Sequence, residues 1–76
     1  MSEKKGIMSD RMSIIGDKVR DERKAQGMTQ TELAGLSSVG LNFISQLENG
    51  KKSVQMDKVL MVLETLGLEI ELKYAK

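Results

Sequence analysis

The sequence predicts an all-α fold: a compact domain of four helices, followed by one C-terminal β-strand that pairs across a dimer. Three observations carry this. Apolar residues recur at helical spacing in four stretches separated by glycines or polar breaks. The 76 residues include no proline, one Phe and one Tyr, a composition poor in the aromatics that strands favour. Only the last stretch, Leu68 to Tyr74, changes to strict alternation. These features divide the chain into an arm (1–10), a helical domain (11–67) and a dimerisation strand with its tail (68–76).

A chain of this length has room for one small core, so help from a second subunit is expected. There is no Cys and no His. That removes disulfides, thiolate chemistry, imidazole acid–base work and the usual zinc ligands. The carboxylates are scattered along exposed helix positions, and no Gly-rich phosphate loop accompanies them. The expectation is therefore no enzyme, no catalytic residue, no metal and no cofactor. MSEKKGIMSD lacks the apolar core of a signal peptide, and no apolar run approaches a membrane span. A cytoplasmic protein without a membrane partner is expected. The net charge of +1 is compatible with nucleic-acid binding if the charges are segregated.

Met1 to Asp10 is aperiodic and reads as a mobile, solvated arm carrying Lys4 and Lys5. The first helix is predicted over about Met12 to Gln26, with Gly27 as its stop. Met12, Ile15 and Val19 form its inward stripe, with Ile14 at the margin, while Lys18, Arg20, Arg23 and Lys24 interleave with Asp17, Asp21 and Glu22 as on an exposed face.

The stretch Thr29–Gly50 organises the rest. Thr29 followed by Glu32 is a capping box, opening a second helix over Gln30 to Ser37. Ala34 supplies the small residue a close helix crossing needs. Gly40 is a weaker cap for a third helix, Leu41 to Glu48. There Ile44 and Leu47 point one way and Asn42, Ser45 and Gln46 another. Phe43 either packs under the turn or lies against a nucleic-acid backbone; packing is preferred. Asn49-Gly50 closes the helix with residues that tolerate left-handed dihedrals. An amide-bearing helix anchored by its apolar side suits base-pair edges in a major groove.

The pattern M-T-Q-x-E-L-A, a short turn, then I-S-x-L-E-N-G-K resembles the helix-turn-helix of the lambdoid phage repressors and Xre-type regulators. The likeness runs from about Ile15 to Leu66. Three departures stand out: the usual turn Gly is Ser38, the usual Ser or Thr cap of the third helix is Gly40, and Glu22 replaces an aliphatic residue, which weakens the first helix's share of the core. A Ser held at positive φ costs about 1 kcal/mol relative to Gly. The resemblance implies that Gln30, Leu41, Asn42, Ser45 and Gln46 read bases, that Thr29, Asn49, Lys51 and Lys52 contact phosphates, and that Arg23 pairs with Glu48. For any one of these amides alone, a solvated helix face is the competing reading.

The fourth helix is predicted over Met56 to Leu66, with Val59, Leu60, Leu63 and Leu66 inward, Met56 at its start and Gly67 at its end. Met61 and Val62 widen the apolar surface, suggesting a further contact. In LEIELKY, Leu68, Ile70, Leu72 and Tyr74 share one side. An unpaired strand needs a partner for its backbone groups, and a second copy of itself is the simplest one. In this respect the chain is similar to the HipB-like antitoxins. That likeness implies a homodimer on double-stranded DNA with a palindromic operator, an autoregulated operon and a HipA-like kinase toxin as partner. A stand-alone phage or restriction-modification regulator is the alternative; a protein–protein adaptor built on the same scaffold is the alternative of a different class.

Overall fold

A computed structural model describes residues 3–75. Four helices follow in order: α1 (Glu3–Ala25), α2 (Gln30–Ser37), α3 (Leu41–Glu48) and α4 (Met56–Leu66). The last three have the predicted bounds. The first departs from prediction: it starts at Glu3 rather than near Met12, so most of the supposed arm has helical backbone. Nothing in this stretch stops a helix, since proline is absent; lack of apolar periodicity removes a reason to bury it, not its ability to coil. Met1 and Ser2 lie outside the described residues.

The four helices end alike. In each, an amide just past the helix end reaches back five positions: Met28 to Arg23 O (3.0 Å), Val39 to Ala34 O (3.0 Å), Lys51 to Gln46 O (3.0 Å) and Leu68 to Leu63 O (2.8 Å). The residue just before each of these amides is left-handed: Gly27 at φ 73°, Ser38 at 59°, Gly50 at 78° and Gly67 at 79°. This is the Schellman stop, and three of the four sites carry the residue that adopts it without a steric penalty. Ser38 is the exception. Asn49 was expected to share the left-handed role, but its φ is −90°; Gly50 alone makes the turn.

The core gathers Val19, Leu33, Ala34, Ile44, Leu47, Val59, Val62, Leu63 and Leu66. On α4 one assignment is corrected. Leu60 is 47% exposed, whereas Val62 is fully buried. Positions 59, 62, 63 and 66 complete the i, i+3, i+4, i+7 stripe; position 60 lies off it, and Met56 and Met61 are exposed with it. Ile14 likewise faces outward. Phe43 packs against the core, as preferred, and Lys58 Nζ stands 5.9 Å from its ring centroid. Glu22 is not simply a gap in the core: Gln26 Nε2 donates to Glu22 Oε2 (2.9 Å) and to the Leu66 carbonyl (3.0 Å). A polar clasp thus joins the end of α1 to the end of α4.

No strand is present among the described residues. Leu68 packs against the core, and the segment after it has no regular structure. A single chain offers the segment no neighbour to pair with, so the strand remains an expectation for an assembly.

Candidate nucleic-acid interface

The site is built on one carboxylate. Glu48, the last residue of α3, is 2% exposed. Arg23 Nε donates to its Oε2 (2.7 Å) and Arg23 Nη2 to its Oε1 (3.0 Å), a forked pair. Gln30 Nε2 also donates to Oε1 (3.0 Å). Arg20 Nη2 donates to the Glu48 carbonyl (2.8 Å), and Arg20 Nε lies 3.6 Å from Oε1. Arg23 Nη1 donates to the Met28 carbonyl (2.9 Å). No buried side-chain polar atom lacks a partner among the described residues. α1, the loop before α2, α2 and α3 therefore meet at one satisfied cluster.

The chemistry is self-consistent. Burial alone would push the Glu48 carboxyl up, but hydrogen bonds from Arg23 and Gln30 and the charges of Arg23 and Arg20 outweigh it and hold the carboxyl below the usual range. The hydrogen bond to Glu48 holds Arg23 above its usual value against the opposing effect of burial. Arg20 also sets a cation at the C-terminal carbonyls of α3, where the helix dipole favours it.

With its end pinned, α3 is oriented by Ile44 and Leu47, both fully buried. Its opposite face shows Asn42 and Gln46 exposed, Leu41 47% exposed and Ser45 half-buried. Asn49, Lys51 and Lys52 follow, all exposed. The Schellman turn at Gly50 fixes the Lys51 backbone through the bond to Gln46 O.

Two predicted contact residues are already engaged. The Thr29 hydroxyl accepts from Glu32 N (3.0 Å), and Thr29 N donates to Glu32 Oε1 (2.8 Å), completing the capping box. Gln30 has its amide N–H on Glu48, which leaves its carbonyl oxygen as the free end. The ion pair of Arg23 and Glu48 is present. Arg20, placed on the exposed face by its charge pattern, is instead half-buried against α3. Its spacing of three from Arg23 puts both on one helix face, a signal the charge alternation masked. Gly16 was also missed: a Cβ there would overlap the Leu47 carbonyl oxygen and stand 2.8 Å from that of Glu48. A glycine inside a helix costs about 1 kcal/mol relative to Ala, but that cost alone does not mark close approach, since the helical Gly35 has open space around its Cβ position.

A family model described as helix-turn-helix matches residues 19–73, most of the domain just described. An HTH-type transcriptional regulator, y4mF, of Sinorhizobium fredii (strain NBRC 101917 / NGR234), described as uncharacterized, is 53% identical over 58 residues, covering 76% of each chain. The chain belongs to the helix-turn-helix family of transcriptional regulators. In the terms of that family, α2 and α3 are the two helices of the motif, joined by the turn at Ser38. Among the described residues of this helix-turn-helix regulator no helix is long and apolar enough to cross a membrane, and no group of acidic side chains is placed to hold a metal ion.

Proposed function

We propose that this helix-turn-helix regulator is a sequence-specific, DNA-binding repressor that acts as a homodimer. One observation carries the reading: α3 is anchored by Ile44, Leu47 and the Glu48 cluster while Asn42 and Gln46 stand free on the opposite face. Asn and Gln can pair bidentately with adenine, and each such pair discriminates by about 1–3 kcal/mol. Leu41 offers an apolar contact for a thymine methyl. Ser45 and the free end of Gln30 complete the base-reading group. Asn49, Lys51 and Lys52 would hold phosphates, with Thr29 at the start of α2; such contacts position the protein without reading sequence.

Pairing of Leu68 to Tyr74 with the same segment of a second copy would present two recognition helices to one palindrome, about 34 Å apart. In its finer form the reading is an antitoxin that represses its own operon and binds a HipA-like kinase toxin. The likeness of the alternating C-terminal segment to HipB-like antitoxins supports it.

Anisotropy titration against the protein's own upstream region tests the DNA reading. Gln46→Ala should flatten the preference among operator variants. Lys51→Ala should weaken binding to all of them and lower the salt slope by about one. Equal loss on every sequence from both variants would remove the base-reading role. Co-purification with a kinase encoded beside the regulator tests the antitoxin form.

A further inference from the structure

The tail leaves α4 through the Schellman turn, which seats Leu68 next to Leu63. Just beyond it lies a largely apolar groove of about 170 Å³ whose walls are Ile14, Ile15, Leu63, Leu68 and Ile70, with Lys18 and Glu69 also lining it. The two apolar residues that follow in the alternation, Leu72 and Tyr74, stand in solvent, 90% and 102% exposed. The chain thus has an open apolar groove and, immediately after it, two apolar side chains without a place. Its own Tyr74 is badly placed to fill the groove, because along a strand it lies about 13 Å beyond Ile70.

Charge decides how a second copy fits. Glu71 Oε1 lies 3.8 Å from Lys73 Nζ, so these two charges already project from one side. Only antiparallel registers centred on a residue keep the apolar side of one strand opposite that of the other. Centring on Glu69 or Glu71 sets a glutamate against its own copy. Centring on Ile70 sets Glu69 against Glu71 twice, and centring on Lys73 sets lysine against lysine. Like charges directly opposite destabilise a strand pair. Among centres from Glu69 to Lys73, Leu72 alone avoids them: Glu71 faces the other copy's Lys73 twice, Leu72 meets Leu72, and Ile70 meets Tyr74, whereas a centre at Tyr74 would set Leu72 against Lys76 and pair no opposite charges.

Resting on the dimer reading above, we infer that two copies pair in the register centred on Leu72, with Tyr74 of each copy laid over Ile70 in the groove of the other. The groove is therefore an interaction surface for a second copy of this chain, and the tail is its self-complementary ligand.

The chain has no Cys, so single cysteines at positions 70 to 73 report the register directly. Residues directly opposite lie about 4.5–5.5 Å apart at Cα, within disulfide range. Leu72→Cys should oxidise to a covalent dimer roughly tenfold faster than Ile70→Cys, Glu71→Cys or Lys73→Cys, whose own copies would lie beyond about 7 Å. Tyr74→Ala should raise the dimer dissociation constant by about tenfold or more, and dimer formation should shield Tyr74 fluorescence from acrylamide. Fastest closure at position 71 or 73, a wild-type dimer with no preferred position, or a dimer indifferent to Tyr74→Ala would overturn the register and groove while leaving the dimer standing. A monomer by sedimentation at 100-fold dilution series endpoints and throughout would instead remove the dimer reading itself, and this inference with it.

Discussion

The Arg23 guanidinium holds the Glu48 carboxylate with two hydrogen bonds, of 2.7 and 3.0 Å, inside the domain. This pair couples α1 to the end of α3. Removing one partner strands the other charge, which typically costs about 3–5 kcal/mol, more than the intact pair contributes. Glu48→Ala should therefore destabilise strongly, because Arg23 is only 8% exposed. Replacing both partners by apolar residues of similar size should recover much of the loss. Urea unfolding of the two single variants and the double variant measures this coupling, and simple additivity would argue against it.

The same carboxylate predicts the response to acid. Its folded pKa is depressed, so its contribution is complete above the ordinary glutamate value of about 4.3. It is lost as pH falls through the lower, folded value. Stability should fall below about pH 4.3 in the wild type. Glu48→Gln, already less stable at pH 7, should show a shallower fall over the same window. Urea midpoints taken from pH 7 down to pH 3 would reveal any such difference; parallel curves would assign the acid response to other groups.

Ser38 occupies the one Schellman position not filled by glycine, at φ 59° and ψ 40°. A left-handed L-residue is strained by roughly 1–2 kcal/mol, part of which glycine returns as unfolded-state entropy. Ser38→Gly should stabilise the domain by about 0.5–1 kcal/mol, read as a higher thermal midpoint. A lower midpoint would mean the serine has a compensating contact.

Two helical glycines should respond with opposite sign to alanine. At Gly35 a Cβ meets nothing within 4 Å, so Gly35→Ala should gain up to about 1 kcal/mol of helix propensity. At Gly16 a Cβ meets α3 backbone carbonyls, which cannot swing aside as a side-chain end would. Gly16→Ala should lose about 1–3 kcal/mol despite the better propensity. It should also shift α3 against α1, so DNA affinity should fall along with stability. Thermal melts of both variants, and operator titration of the second, make the comparison.

Much of this molecule follows from local rules. Thr29 and Glu32 start α2, glycines stop three helices, and the spacing of Ile44 and Leu47 orients α3; each signal lies within a few residues of its effect, so α2, α3 and α4 are legible in the sequence. The outward amides Asn42 and Gln46 are legible for the same reason, since a helix that buries one face must present the other. Leu60 and Val62 are both apolar, and the helical stripe through Val59, Leu63 and Leu66 includes Val62 and not Leu60, so this assignment too was within reach of the sequence. Tertiary structure alone decided what depends on distant partners. Arg20 and Gln30 join Glu48, and Gly16 admits the α3 backbone, because folding brings together residues far apart in sequence. A side chain's chemistry announces that it needs a partner, whereas the fold determines which partner comes within reach.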